Sequence, residues 1–192
     1  MKKIIGFIFL LLTTLLMFAA ASQVSASREQ EAAGYLDNLL VRPVSRWNWL
    51  GSQIGVHALW LLILGLSAGI LAWIGVSSQH GGIAFGVMLL AGLNIVTPAL
   101  LVLGIGTFFQ GFIPRISSAV AYGIVAWSFL VELVGSVINA SPNLLHLSIL
   151  NHVALAPAQD IVWSTTAKLL SLALLTLFLG VWGFVHRDLA GE

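Results

Sequence analysis

Five long apolar stretches dominate the pattern of hydrophobic and polar positions along the chain. They are Ile4–Ala21, Gln53–Ser77, Ile83–Phe108, Ser117–Ile138 and Ala167–Val185. Crossing about 30 Å of hydrocarbon takes roughly 20 helical residues at a rise of about 1.5 Å each. Only helices and closed barrels satisfy their backbone hydrogen bonds in lipid, and continuous runs of Leu, Ile, Val and Ala favour helices. The pattern therefore predicts an all-α, polytopic membrane protein with a bundle of about five transmembrane helices.

Composition agrees with this class and excludes several functions. The chain is 59% hydrophobic and 8% charged, whereas a soluble domain has about 25% charged residues. It has no cysteine, no basic face for nucleic acid and no G-x-x-x-x-G-K-[ST] loop. His146 and His152 are six residues apart, which is not a usual ligand spacing on a helix. We therefore expect no catalytic, cofactor or metal site, and any ATP hydrolysis would reside in a partner chain.

Residues 1–21 form the first predicted unit, and two interpretations of it stay open. Lys2 and Lys3 precede an apolar run, and the small residues Val24-Ser25-Ala26-Ser27 follow it, as in a secretory signal peptide. However, the run from Ile4 to Ala21 exceeds the roughly 7–15 residues of a signal core. Retention as a transmembrane helix is the preferred prediction.

Residues 22–52 form the second predicted unit, a loop with one amphipathic helix over Arg28–Val41. Its apolar side carries Ala32, Ala33, Leu36, Leu39 and Leu40, and its polar side carries Glu29, Glu31, Asp37 and Asn38. Pro43 stops this helix, and Ser45 is a suitable cap for a new helix that begins at Arg46. The segment is either an interfacial linker or a helix that docks in the groove of a partner.

Arginine placement orients the remaining unit, residues 53–192, with its four spans and a cytoplasmic tail. In an alternating bundle, five arginines share one side and three lysines share the other. The arginines are Arg28, Arg42, Arg46, Arg115 and Arg187, and the lysines are Lys2, Lys3 and Lys168. The positive-inside rule then places the arginine side in the cytoplasm, although Lys2 and Lys3 argue the other way.

Several blocks of the chain together carry a resemblance to a known family. The main block is Arg28–Arg46, which reads REQEAAGYLDNLLVRPVSR. The others are Gly111–Arg115, Ser128–Ser136, the loop around Asn151-His152-Val153, and His186–Leu189. In these blocks, and in their order from about Ala20 to Leu189, the chain resembles bacterial ABC-type exporter permeases, in particular a family of exporters of polyketide antibiotics.

This resemblance implies a permease half of six transmembrane helices, a separate cytoplasmic ABC ATPase, and a second permease half or a homodimer in the bacterial cytoplasmic membrane. A preceding span would then be missing, so the chain would be the C-terminal portion of one half. The coupling helix that contacts the ATPase would lie within Arg28–Arg46, and short extracellular helices would lie within Asn139–Thr166. The expected ATPase contacts are Glu29, Glu31, Leu36, Asp37, Leu39, Leu40, Arg42 and Arg46.

Three residues inside the spans are candidates for gating. Glu132 is a carboxylate within a span, where a charge at the helix centre costs about 2.5–3.5 kcal/mol on insertion scales. A hydrogen bond to a neighbouring helix, a role in gating and proton coupling are its three possible explanations. Pro98 opposes the carbonyl group of Asn94 and predicts a kink there, either a static bend or a moving hinge.

Glycines recur four apart at Gly51/Gly55, Gly65/Gly69 and Gly82/Gly86, a spacing that lets helices approach closely in lipid. Packing within the bundle is the first interpretation, and a dimer seam is the alternative.

Two functions follow from these features. The first is a permease subunit, or partial subunit, of an ATP-driven ABC exporter. It would be surrounded by membrane lipids and would move a hydrophobic or drug-like substrate out of the cell. The alternative is a non-transporting membrane scaffold or a truncated permease remnant.

Overall fold

The computed structural model describes residues 2–32, 45–79, 82–138, 148–154 and 156–187. Within these ranges the chain is helical and has no strand. The helices are α1 (Lys2–Ala32), α2 (Arg46–Ser78), α3 (Phe85–Asn94), α4 (Val96–Phe112), α5 (Pro114–Ile138) and α6 (Trp163–His186), with a 3₁₀ turn at Leu150–His152. Five segments are long and apolar enough to cross a membrane, with α3 and α4 together forming one of them. The prediction of an all-α bundle of about five spans is confirmed.

The first helix is longer than the predicted span. It continues without interruption from the apolar run through Arg28 to Ala32, because residues 22–32 contain neither glycine nor proline. Met17 and Val24 of α1 are buried in the main apolar core. Retention of this helix as a span, as opposed to its removal as a signal peptide, stays a prediction.

The third span is interrupted at Ile95, between α3 and α4. Pro98 lies in the first turn of α4, where its missing N–H group would have no helical partner in any case. The N–H group of Ile95 still bonds to the main-chain oxygen of Ala91 at 3.3 Å. The irregularity predicted from Pro98 is therefore present, one turn or less before the proline.

Helix α4 is the buried axis of the bundle, and it packs most extensively against α6. Small residues make this approach possible. A Cβ atom on Gly104 would lie 2.7 Å from the main-chain oxygen of Ala173, and one on Gly180 would lie 2.6 Å from the main-chain oxygen of Thr107. Gly104 and Gly111 are seven residues apart, as are Ala173 and Gly180, a spacing that the sequence analysis did not consider.

One of the three glycine pairs noted in the sequence packs inside the bundle. A Cβ atom on Gly65 would lie 2.7 Å from the main-chain oxygen of Gly92 on α3, and one on Gly69 would lie 2.7 Å from that of Met88. Gly51/Gly55 and Gly82/Gly86 have no described atom within 4 Å of such a Cβ. The packing interpretation is thus confirmed for Gly65/Gly69 only.

Candidate functional site

Helix ends from all parts of the chain meet at one end of the bundle, which we call the arginine end. It comprises residues 27–32, 45–57, 110–117 and 180–187. Arg28 Nε donates to the main-chain oxygen of Pro114 at 3.2 Å, which joins α1 to the start of α5. Gln53 Nε2 donates to Gln30 Oε1 at 2.7 Å, which joins α2 to α1. These bonds place the arginine-bearing segments on one side of the bundle.

An ion pair joins the last turn of α1 to the end of α6. Arg187 Nη2 donates to Glu31 Oε1, and Arg187 Nη1 donates to the main-chain oxygen of Gln110 at 2.9 Å. The same guanidinium lies 5.6 Å from the ring centre of Phe184. The side chain of Glu31 is only 7% exposed. One cation therefore ties together α1, α4 and α6.

The start of α2 is held against the end of α6. Ser45 Oγ accepts a bond from the N–H group of Asn48 at 3.3 Å, so the predicted helix cap is confirmed. The rings of Trp49 and Phe184 stack with centres 5.8 Å apart. Leu50 and Val181 are buried in the same small apolar cluster. The arginine end is thus packed as well as hydrogen-bonded.

The residues predicted to contact an ATPase differ in where they lie. Glu29 is exposed at the arginine end, whereas Glu31 is turned inward to Arg187. Arg46 is the first residue of α2. The remaining candidates lie outside the described residues, namely Leu36, Asp37, Leu39, Leu40 and Arg42. Of the two acidic candidates that the structure describes, Glu29 is the one whose carboxylate is accessible.

A polar groove of about 270 Å³ runs between α1 and α2 near the arginine end. Gln23, Ser27 and Gln30 line it from α1, and Gln53 and His57 line it from α2. Ser27 Oγ donates to Gln53 Oε1 at 2.8 Å. This groove was not predicted. The polar residues on α1 are 4 and 3 positions apart and those on α2 are 4 apart, spacings that place each set on one face of its helix.

The opposite end of the bundle, which we call the loop end, carries the segment 148–154. Asn94 Nδ2 donates to the main-chain oxygen of Ala154 at 2.9 Å. Ser148 Oγ donates to the main-chain oxygen of Ser128 at 3.2 Å, and the N–H group of Ile149 donates to Ser128 Oγ at 3.3 Å. Asn94 is buried. Its side chain therefore fastens the segment before the last span to the break in the third span.

An apolar cleft of about 190 Å³ lies beside this break. Its walls include Leu62 of α2, Leu93 and Asn94 of α3, Thr97 of α4 and Trp163 of α6. Leu62 and Trp163 are exposed side chains. Three spans thus border the cleft at the point where the helical backbone is irregular. Asn94 and Thr97, on either side of Ile95, contribute polar side chains to its wall.

Glu132 lies on α5 and is partly exposed. Its Oε2 atom is buried and has no hydrogen-bond partner in the described part of the chain. The hydrogen bonds of the described residues do not join Glu132 to Asn94, whose side chain donates to Ala154 instead. Among the described residues, no group of three His, Asp or Glu side chains is placed to hold a metal ion.

The architecture defines the class of this protein as a multi-pass helical membrane protein with a packed, polar arginine end. Over residues 1–185 the chain matches the family described as "Multidrug efflux system permease Rv1217c, C-terminal domain". The chain belongs to this family, and the resemblance to exporter permeases is confirmed at that level. No curated protein gives a significant match to the chain.

Proposed function

We propose that the chain is the transmembrane permease subunit, or the C-terminal part of that subunit, of an ATP-driven exporter whose ATPase is a separate cytoplasmic chain. The family membership carries this proposal, since its description is that of a multidrug efflux permease. The convergence of five helix ends at the arginine end supports it, because a force applied there reaches every span. The permease moves hydrophobic or drug-like molecules outward across the bacterial cytoplasmic membrane.

The arginine end is the cytoplasmic side in this proposal. Arg28, Arg115 and Arg187 lie at this end, and the positive-inside rule favours the cytoplasm for such segments. The chain from residue 33 to residue 44 connects α1 to α2 at the same end and contains most of the expected ATPase contacts. Glu29 adds an exposed carboxylate immediately before it.

The substrate route passes the break in the third span. The apolar cleft beside Asn94 and Thr97 is a suitable place for a hydrophobic molecule, because concave apolar sites with few polar groups bind such ligands. The irregular backbone at Ile95 and the first-turn position of Pro98 allow α3 and α4 to change their relative angle. In this proposal the second permease half completes the route.

The test is purification of the chain in mild detergent with identification of bound proteins. We expect a cytoplasmic ATPase to co-purify, and to be lost when Glu29, Asp37 and Arg42 are reversed in charge. Reversal of Lys168, a single exposed cation on α6 near the loop end, is the control and retains the ATPase. An intact complex after the triple reversal would contradict the docking assignment.

Transport is measured separately, as efflux of a fluorescent hydrophobic dye from vesicles that contain both chains. We expect ATP-dependent efflux in the complex and none with the permease alone. A complex that binds the ATPase but moves no substrate would instead favour the membrane scaffold.

A further inference from the structure

Two buried polar atoms at the arginine end are without a hydrogen-bond partner within the described ranges of the chain. They are Glu31 Oε2, an acceptor, and Gln110 Nε2, a donor. The side chain of Gln110 is 1% exposed, so water does not reach it. Buried polar groups are nearly always paired, because an unpaired group has lost its hydration without replacement. Two such atoms of opposite character at one place need a physical explanation.

Both atoms belong to residues that are held by the same guanidinium. Arg187 Nη2 binds the other oxygen of Glu31, and Arg187 Nη1 binds the main-chain oxygen of Gln110. Glu31 is on α1 and Gln110 is on α4, so Arg187 bridges two spans from the end of a third. The unpaired acceptor and the unpaired donor are therefore complementary groups on adjacent helices.

We propose that Glu31, Gln110 and Arg187 form a latch with two arrangements. In the arrangement described above, Arg187 holds Glu31, and the Gln110 amide is unpaired. In the other arrangement, Gln110 Nε2 donates to the Glu31 carboxylate while Arg187 keeps the main-chain oxygen of Gln110. The first arrangement leaves the Gln110 amide unpaired, and the second leaves the bond between Arg187 and Glu31 unmade, so each satisfies a group that the other does not.

The latch has a mechanical consequence for the proposed function, on which this step rests. Glu31 lies in the last turn of α1, directly before the segment expected to contact the ATPase. Gln110 lies on the buried axis α4, which packs along α6. When Glu31 exchanges Arg187 for Gln110 as its partner, the end of α1 therefore moves relative to the packed pair α4 and α6. Gln110 and Arg187 are positioning residues that act through Glu31.

The absence of cysteine allows a direct test on the full chain in lipid nanodiscs. Cysteines replace two exposed residues, Ser22 on α1 and His186 on α6, and carry spin labels for pulsed electron paramagnetic resonance. We expect two distance populations in the otherwise unchanged chain. Gln110→Met removes the donor with little change of volume and leaves one population. Glu31→Gln weakens the ion pair and enlarges the other population at least twofold.

Asp160→Asn is the control, since it removes one negative charge from an exposed carboxylate before α6 and leaves both populations unchanged. Far-UV circular dichroism and a single elution peak establish that each variant is folded. If Gln110→Met fails to fold, the pair Glu31→Gln and Asp160→Asn decides the question alone. A set of distances that neither Glu31→Gln nor Gln110→Met alters would overturn the latch.

The same labels distinguish this proposal from the proposed function. Distance populations that respond to Glu31→Gln, in a chain that binds no ATPase, would support the latch and contradict the exporter. A bound ATPase with distances that ignore both variants would contradict the latch alone. With both correct, ATP shifts the populations in the complex, and Gln110→Met abolishes that shift.

Discussion

Helix α2 and the third span are equally apolar, yet they occupy opposite environments. The most apolar 18-residue windows of Trp47–Ser78 and Phe85–Phe112 both have a mean hydropathy of 2.2. In α2 only 17% of that window is buried inside the chain, whereas 72% is buried in the third span. Hydropathy therefore does not decide which span becomes the axis of this bundle.

Small residues at the right positions account for the difference. Lipid tails are as apolar as leucine, so helices in a bilayer associate through close packing and hydrogen bonds instead of through removal from water. Helix α4 offers Gly104 and Gly111 to α6 over two turns. Helix α2 makes close backbone contact through Gly65 and Gly69 with α3, while Gly75 has no described neighbour within 4 Å.

We expect the largest effect from enlarging a glycine where α4 packs against α6. Gly180→Leu places a side chain where Cβ alone would lie 2.6 Å from backbone atoms of Thr107. We expect a loss of about 3 kcal/mol or more in the free energy of unfolding, since overpacking against backbone is not easily relieved. Thermal unfolding in detergent, followed by size exclusion, measures it.

Gly75→Leu is the matched control, on α2 and in open space. We expect it to unfold at the same temperature as the unchanged chain or slightly higher, because glycine is a poor helix former. Equal damage from Gly75→Leu and Gly180→Leu would mean that α2 is covered in the same way as α4.

The next effect concerns the polar anchor of the third span. Asn94→Ala leaves the main-chain oxygen of Ala154 without its bond, which costs about 1–3 kcal/mol when the group is buried. We expect faster hydrogen exchange over residues 148–154, measured by mass spectrometry. Ser67→Ala on α2 is the control: its hydroxyl bonds only within its own helix, to Leu64. Unchanged hydrogen exchange over residues 148–154 in Asn94→Ala would contradict the role of Asn94 as an anchor.

The smallest expected effect is that of a substitution on the exposed face of α2. Leu59 is 57% exposed, so Leu59→Ala changes the stability of the isolated chain by less than about 0.5 kcal/mol. In the assembled exporter the same variant weakens association by at least twofold if a second permease half covers this face. Analytical ultracentrifugation in detergent of the chain and of the complex compares the two. A large effect in the isolated chain would show that Leu59 is already packed.

Much of the architecture follows from local sequence. The count of spans, the irregularity before Pro98 and the cap at Ser45 are predictable because each depends on a few neighbouring residues. The sequence predicts a span that ends at Ala21 and a separate helix that begins at Arg28, whereas α1 continues without a break to Ala32, because residues 22–32 contain neither glycine nor proline. The ATPase contacts between residues 33 and 44 stay predictions.

The candidate sites depended on long-range contacts. Glu31 belongs by sequence to a polar face suited to a partner, and only the position of Arg187, 156 residues later, turns it inward. Asn94 is a candidate from the sequence because it lies four residues before Pro98 inside a span, but its partner Ala154 is 60 residues away. No periodicity within either segment identifies these partners.

The number of membrane-spanning helices and their approximate ends follow from the order of residues alone, because the bilayer demands long apolar runs whose backbone groups are satisfied within each helix. Only the tertiary structure decided which faces of those helices meet. A face turned to lipid and a face turned to protein are similarly apolar, so their difference lies in the placement of small residues, in complementary shape and in a few buried polar contacts.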